Sequence, residues 1–251
     1  MQVLSRYIRN ISMSGTKLYE GKAKILFTTD DPNILLSRFK DDATAFNALK
    51  KGTIAHKGEM NCAIASHIFQ YLETKGIATH FIKQVSPSDM QVAAVKILAI
   101  EVVVRNIAAG SICKRLGLEQ GKTLKQPLVE FFYKNDDLGD PLITDAHIAM
   151  LDLATPDQVA QLKQLALDIN QHLQAFFDRC NLILVDFKVE IGVDATGKLL
   201  LADEISPDTC RLWDKTIADP SDRIMDKDRF RQDLGNISEA YQEVMKRVLA
   251  A

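Results

Sequence analysis

Histidine and cysteine are too few and too scattered to build a metal or redox centre. The five histidines form no H-E-x-x-H or comparable cluster, and Cys62, Cys113, Cys180 and Cys210 contain no C-x-x-C pair. A zinc knuckle and a redox dithiol are therefore excluded, and reduced thiols are the expectation. No apolar run is long enough to span a bilayer, because Lys, Glu or Arg interrupts each one. An excess of positive charge is also missing. Lys and Arg number 31 against 33 Asp and Glu, a net charge of -2, which argues against a bulk electrostatic grip on nucleic acid or an anionic membrane. Repeats and low-complexity segments are absent, as are a G-x-S-x-G elbow and a Walker loop. The first 14 residues carry Arg6 and Arg9 but no continuous apolar stretch, so they read as a poor secretory signal and as an extension, 1–15. What remains is an enzyme or a binding protein. At 251 residues it is long enough for a sizeable core.

Patterning changes along the chain. Residues 17–28 read as two strands around a Glu20-Gly21 turn, 34–39 as a third, and 41–52 as a polar loop. Residues 61–75 place Ile64, Ile68 and Leu72 at helical spacing and stop at Gly76. Three strand-like runs follow, at 79–85, 91–97 and 100–105. Beyond them come a short helix at 110–116, a strand at 128–133 and a long helix opened by Thr155-Pro156 and running to about Cys180. A hairpin at 182–193 and 198–204 turns around residues 194–197, and a helix at 238–249 closes the chain. Strands and helices mix without a βαβ beat, so the expected class is α+β. A boundary near residue 100 divides 16–98, a β-rich lobe, from 99–251, a larger α+β lobe.

Four segments carry candidate chemistry. In Gly21-Lys22-Ala23-Lys24 a glycine permits close approach to an anion, and two lysines project to one face. Taken alone, a solvated basic hairpin accounts for this segment better. In residues 184–192, LVDFKVEIG, alternation puts Asp186, Lys188 and Glu190 on one face, opposite Val185, Phe187, Val189 and Ile191. If the hairpin is symmetric, Asp203 lies opposite Lys188 and diagonal to Glu190, and two carboxylates with a lysine suit magnesium bridging phosphates. A bulge would carry Asp203 to the other face. Arg105 leads into Ala108-Ala109-Gly110-Ser111, where a guanidinium and a hydroxyl fit a phosphate or carboxylate; a plain helix cap at Ser111 is an equal alternative. Residues 206–214, SPDTCRLWD, offer Arg211 for a second anion, while Trp213 reads as packing.

These segments together resemble the phosphoribosylaminoimidazole-succinocarboxamide synthase, or SAICAR synthetase, family. The resemblance rests on YEGKAK (19–24), EVVVRNIAAGS (101–111), LVDFKVEIG (184–192), DEISPDTCRLWD (203–214) and MDKDRFRQ (225–232), in that order, and runs from about Lys17 to Leu249. It implies an α+β fold with an ATP cleft between a β-rich N-terminal lobe and a larger C-terminal one. The activity it implies is an ATP-dependent ligation of L-aspartate to carboxyaminoimidazole ribonucleotide, in a cytoplasmic homo-oligomer with a dimer favoured. Position by position, Lys22, Lys24 and Lys134 look like ATP contacts. Glu190 and Asp203 look like the carboxylates organising magnesium and nucleotide, and Lys188 like a charge-stabilising lysine. Arg105, Ser111 and Arg211 look like the group for ribonucleotide phosphate and substrate carboxylate, with Asp208 beside them. Adenine is expected against residues 96–100. Ala99, Ile191 and Cys62 depart from the usual family pattern.

The chemistry so implied needs cations and no enzyme nucleophile. A substrate carboxylate attacks the γ-phosphate to give an acyl phosphate, and the aspartate amine then displaces phosphate. Two anions meet in the first step, so lysines, arginines and magnesium must neutralise charge. The amine needs a base, and Asp208 is the candidate for that role. A small-molecule kinase and a non-catalytic nucleotide sensor are the alternatives. The first would leave a stable phosphorylated product without an amine, and the second would turn nothing over.

Overall fold

Strand formation between residues 17 and 39 follows short apolar runs, and each strand finds its neighbour through a short turn. The computed structural model describes residues 15–45 and 49–251; residues 1–14 of the expected extension lie outside them. β1 (Lys17–Glu20), β2 (Lys24–Thr28) and β3 (Ile34–Phe39) pair antiparallel in sequence. β4 (Asp42–Ala45) and β5 (Lys50–Thr53) then form a small hairpin where the sequence reads as a polar loop. The strand signal there is faint: only Ala43 and Ala45 turn inward, onto Ile54 and Phe230. Helix α1 (Lys57–Thr74) begins four residues before the expected start, because its first turn is polar and carries no apolar stripe. β6 (Phe81–Gln84) and β7 (Asp89–Ala93) complete a five-stranded sheet in the order β1-β2-β3-β7-β6.

A second sheet starts at β8 (Lys96–Ile107), a strand that contains the expected lobe boundary at 98/99. It is followed by α2 (Ser111–Leu116), β9 (Thr123–Tyr133), β10 (Leu142–Ile143), α3 (Asp145–Met150) and α4 (Pro156–Arg179). Thr155 caps α4 through a reciprocal pair: its hydroxyl accepts from Gln158 N–H at 3.2 Å, and the Gln158 side chain accepts from Thr155 N–H at 2.9 Å. β11 (Leu182–Val193), β12 (Leu199–Ala202), β13 (Cys210–Asp214), α5 (Asp228–Arg231) and α6 (Ile237–Leu249) close the chain. The sheet runs β10-β9-β8-β11-β12, with β13 also paired to β11. β10, β13, α3 and α5 carried no sequence signal long enough to read.

One apolar core joins the two sheets. It gathers Phe69 and Leu72 of α1, Met90 of β7, Val102 and Val104 of β8, Leu173 of α4, Phe187 and Val189 of β11, and Val244 of α6. Helix α4 covers the inner face of the second sheet, and a buried amide pair pins it: Asn106 and Asn170 donate to each other at 2.8 and 3.0 Å. Every fully buried Leu or Phe in such a core contributes about 1.5–3 kcal/mol. The opposite face of β8 and β11 is left free of the core, and it is the face that turns to the first sheet.

Parity on β11 is set by an irregularity. Leu182 and Leu184 enter the main core, and so do Phe187, Val189 and Ile191, whereas Val185 packs with Ala109, Trp213 and Ile224 on the other side. The register with β13 shifts between Leu184 and Asp186. Strict alternation, with Val185 on the side of Phe187, therefore fails at that residue. The shift puts Asp186, Lys188 and Glu190 together on the outer face.

Candidate active site

A cleft of about 660 Å³ lies between the two sheets. Leu26, Leu35, Val92 and Ile97 line an apolar part of it, and charged side chains of β8, β11 and the neighbouring strands and loops line much of the rest. Ile97 belongs to the segment expected against adenine. Lys22, Lys24, Arg105, Lys134, Lys188, Glu190, Asp203, Asp208 and Arg211 all line this one space, whereas Ser111 reaches it through Arg105.

On β11 and β8, Glu190 faces Glu101 directly across the strand pair. Two carboxylates in that position repel, and Lys188 resolves the conflict by donating to Glu101 at 2.9 Å and to Glu190 at 3.1 Å. Lys134 adds a contact to Glu190 at 2.8 Å. Burial would push the Lys188 ammonium down, but Glu190, Asp203 and Glu101 hold it well above its ordinary value, so it stays charged. Lys134 is raised in the same way, with Glu190 outweighing burial.

Asp203 reaches the same face by an unexpected route. The hairpin pairs Glu190 with Ala202, one residue out of the symmetric register read from sequence. Continued, that register would set Asp203 beside Val189 and point it into the core. Instead Asp203 takes φ 61°, a left-handed conformation that Asp tolerates, and its carboxylate swings into the cleft. There it lies 2.5 Å from Lys24 and 3.7 Å from Lys188. Burial would raise its pKa, but Lys24 and Lys188 hold it far below the usual range. Lys24 also sits 3.4 Å from Glu204, and Lys22 pairs with Asp136 at 2.7 Å.

The arginines form a second array beside this one. Arg105 and Asp186 are direct partners on β8 and β11, and Asp186 and Arg211 are direct partners on β11 and β13. Arg105 donates to Asp186 at 2.8 Å and Arg211 donates to it at 2.9 Å. Arg105 also donates to the Ser111 hydroxyl at 3.1 Å, so Ser111, Arg105 and, through Asp186, Arg211 are brought together. Gly110 sits at φ 64°, and a Cβ there would lie 2.5 Å from Arg211 Nη2. Only glycine lets the loop pass that close to the guanidinium.

Asp208 occupies a third position. Lys57 of α1 donates to its Oδ2 at 2.5 Å, and Tyr241 of α6 donates to its Oδ1 at 2.7 Å. Burial would raise its pKa, but Lys227 and Lys57 outweigh that and hold the carboxyl at about 2. Nearby, Lys227 and Arg231 line the cleft, as do His80 and Glu204. Arg231 pairs with Asp228, and Lys227 makes no ion pair among the described residues. Sequence reasoning missed Lys57, Glu101, Lys227 and Arg231 as site residues. The segment at 225–232 belongs to the family resemblance, but its residue types alone point to no role. Lys57 sits on the helix turn that lacked an apolar stripe. Trp213 packs as expected, buried with the Arg223 guanidinium 3.9 Å above its ring.

Comparison with known proteins gives a consistent result. A family model described as SAICAR synthetase matches residues 17–248. The chain is 61% identical over 236 residues to a phosphoribosylaminoimidazole-succinocarboxamide synthase of Trichormus variabilis, covering 94% of this chain and 96% of the relative. It is 64% identical to the enzyme of that name from a Picosynechococcus strain, covering 93% and 94%. Among solved structures, the Ehrlichia chaffeensis synthase superposes with a TM-score of 0.90 at 44% identity, covering 94% of this chain and 99% of the other. A SAICAR synthetase in complex with ADP superposes with a TM-score of 0.88 at 43% identity, covering 93% and 97%.

Proposed function

The chain belongs to the SAICAR synthetase family, and from that premise we propose how its cleft does the work. The protein is an ATP-dependent carbon–nitrogen ligase of purine biosynthesis that adds L-aspartate. The acceptor is carboxyaminoimidazole ribonucleotide, and the products are SAICAR, ADP and phosphate. The observation that carries this assignment to the cleft is the meeting of two arrays in one space. A lysine–carboxylate lattice suits a triphosphate, and an arginine row suits a second phosphate.

Lys22, Lys24 and Lys134 contact the ATP phosphates, with adenine toward Leu26, Leu35 and Ile97. Glu190 and Asp203 would hold magnesium. Both are hard oxygen donors whose carboxylates face the cleft, the donor type that magnesium takes, and Lys188 stands beside them at 3.1 Å and 3.7 Å. When bound, magnesium supplies charge neutralisation at the phosphates. Arg105, Ser111 and Arg211 hold the ribonucleotide phosphate. A carboxylate oxygen of the ribonucleotide attacks the γ-phosphorus and ADP leaves. The neutral amine of aspartate then attacks the acyl carbon; phosphate departs with the bridging oxygen and takes up the proton that the nitrogen sheds as the amide forms. Lys188, held protonated, stabilises charge in both steps. Lys227 and Arg231 offer cations for the carboxylates of aspartate.

Asp208 does not fit the base role given to it from sequence. A carboxyl held at about 2, with its two oxygens on Lys57 and Tyr241, is a weak proton acceptor at neutral pH. Its place is to hold α1 and α6 against the cleft floor. A cytoplasmic homodimer accompanies this reading. No helix among the described residues is long and apolar enough to cross a membrane. Light scattering on the purified protein measures the oligomer.

The test is a coupled ADP assay with each substrate omitted in turn. ADP release that requires ribonucleotide, aspartate and ATP–magnesium together supports the reading. Release without aspartate and accumulation of a stable phosphorylated product would return it to the kinase alternative.

A further inference from the structure

The cleft arginines belong to a longer row of alternating charge. Across adjacent strands and their flanking helices it reads Arg115, Glu130, Arg105, Asp186, Arg211, Asp228, Arg231, each pair in contact. Three of these side chains, Arg115, Glu130 and Asp228, do not line the cleft. Glu130 stands directly behind Arg105. It sits opposite Val103 on β8, two residues from Arg105 and on the same face, and it is buried.

The Glu130 carboxylate divides its two oxygens. Oε2 accepts from Arg105 Nε at 2.7 Å, and Oε1 accepts from Arg115 Nη2 at 2.6 Å. Arg115 lies one turn after Ser111 on α2, so the same carboxylate ties down the helix that begins with Ser111. Arg105 meanwhile gives Nη1 to Asp186 and the Ala109 carbonyl, and Nη2 to Ser111. With Nε fixed from behind, the guanidinium can turn neither away from Ser111 nor about its own axis. Ser111 accepts from Arg105, which leaves its own O–H to donate outward.

We propose that Glu130 is a positioning residue for ribonucleotide binding. It sets the plane of Arg105 and the seat of Ser111 together, so that an N–H of Arg105 Nη2 and the Ser111 hydroxyl meet the substrate phosphate in one geometry. The row without substrate holds four cations and three anions, and the substrate phosphate is the anion that balances it. This proposal rests on the reading that Arg105, Ser111 and Arg211 hold that phosphate.

The experiment measures kcat and all three KM values for Glu130→Gln, Arg105→Met, the double variant and Arg115→Met, with ribose 5-phosphate as a competitive probe. Glu130→Gln keeps the shape but turns an amide N–H₂ toward one arginine. Its ribonucleotide KM rises about tenfold and ribose 5-phosphate inhibition weakens by about the same factor, while kcat and the KM values for ATP and aspartate stay within about twofold. In the Arg105→Met background the Glu130 substitution adds nothing further, since it acts through that arginine. Arg115→Met cuts only the limb to α2 and raises the ribonucleotide KM about threefold; it decides the matter if Glu130→Gln does not fold. An unchanged ribonucleotide KM in Arg105→Met overturns the phosphate reading itself. If Arg105→Met raises that KM, the role of Glu130 is overturned by any of three results: an effect of Glu130→Gln spread equally over all three substrates, full additivity with Arg105→Met, or no change in folded Glu130→Gln. Failure of Glu130→Gln to fold combined with an unchanged Arg115→Met overturns it as well.

Discussion

Lys24 and Asp203 meet at 2.5 Å, one from the second strand of the first sheet and the other from the residue after β12. The pair bridges the two sides of the cleft, and it exists because Asp203 takes a left-handed backbone at φ 61°. Asparagine tolerates that conformation equally well, so Asp203→Asn removes the charge and little else. Lys24 keeps Glu204 at 3.4 Å, and Lys188 keeps Glu101 and Glu190. We expect kcat/KM to fall at least about 100-fold, or about 2.7 kcal/mol, with the dependence on magnesium weakened. The melting temperature should move by no more than about 4 °C. A coupled ADP assay and a thermal melt measure the two effects. Near-normal turnover would remove Asp203 from the site.

The buried Lys57–Asp208 pair makes a stability prediction with a sign. Both side chains are almost wholly inaccessible, and Lys57→Met leaves Asp208 with Tyr241 and the more distant Lys227. Breaking a buried pair on one side costs about 3–5 kcal/mol, to be read by urea unfolding at neutral pH. The folded Asp208 carboxyl is held near 2 against an ordinary 3.8, so its contribution is fully present above 3.8 and is lost as pH falls through about 2. In Lys57→Met the carboxyl loses one of the charges that depress it. Acid unfolding followed by circular dichroism should then begin at higher pH.

The sequence made the strands of the cleft legible but left their exact parity unresolved. β3 and β11 match the apolar runs residue for residue, because polar residues bound each run, Asn33 and Lys40 the first and Asn181 and Asp194 the second. The segments around Lys24, Arg105, Lys188 and Arg211 all meet in one cleft, as the family resemblance, and not the residue types taken singly, implied. Four features leave no trace in the pattern. The shift at Val185 and the left-handed Asp203 are each single-residue events that periodicity cannot register, and in this hairpin Asp203 arrives on the expected face although its register is one residue off. The short hairpin of β4 and β5 shows only alanines to the core. Lys57 and Lys227 are lysines in polar stretches, where a solvated surface is the usual outcome; here tertiary packing brings both to Asp208.

Gly110 is where backbone and substrate chemistry meet. Its φ of 64° and ψ of -130° lie in a region that side chains with a Cβ rarely enter, and that Cβ would press on Arg211 Nη2. Gly110→Ala should therefore cost about 1–3 kcal/mol of stability through backbone strain. It should also displace the guanidinium and raise the KM for ribonucleotide more than the KM for ATP. Urea unfolding and substrate-resolved kinetics separate the two effects. An alanine variant with unchanged ribonucleotide KM would mean that Arg211 has room to give.

Thiol reactivity offers a check that needs no substitution. Cys62, Cys180 and Cys210 are buried, and burial pushes the first two thiols up to about 12 and about 11 and the third higher still. The thiolate is the reactive form, so all three should be inert in the native protein. Cys113 is only partly covered and sits two residues after Ser111 on α2. A chromogenic disulfide reagent should titrate one fast thiol in native protein and all four after denaturation. Because α2 carries the hydroxyl assigned to the phosphate, ribonucleotide should slow the fast reaction, whereas aspartate alone should not. Fast labelling of more than one cysteine would show that the core around α1 or β13 opens more readily than its packing implies. Labelling unaffected by ribonucleotide would separate α2 from the substrate site.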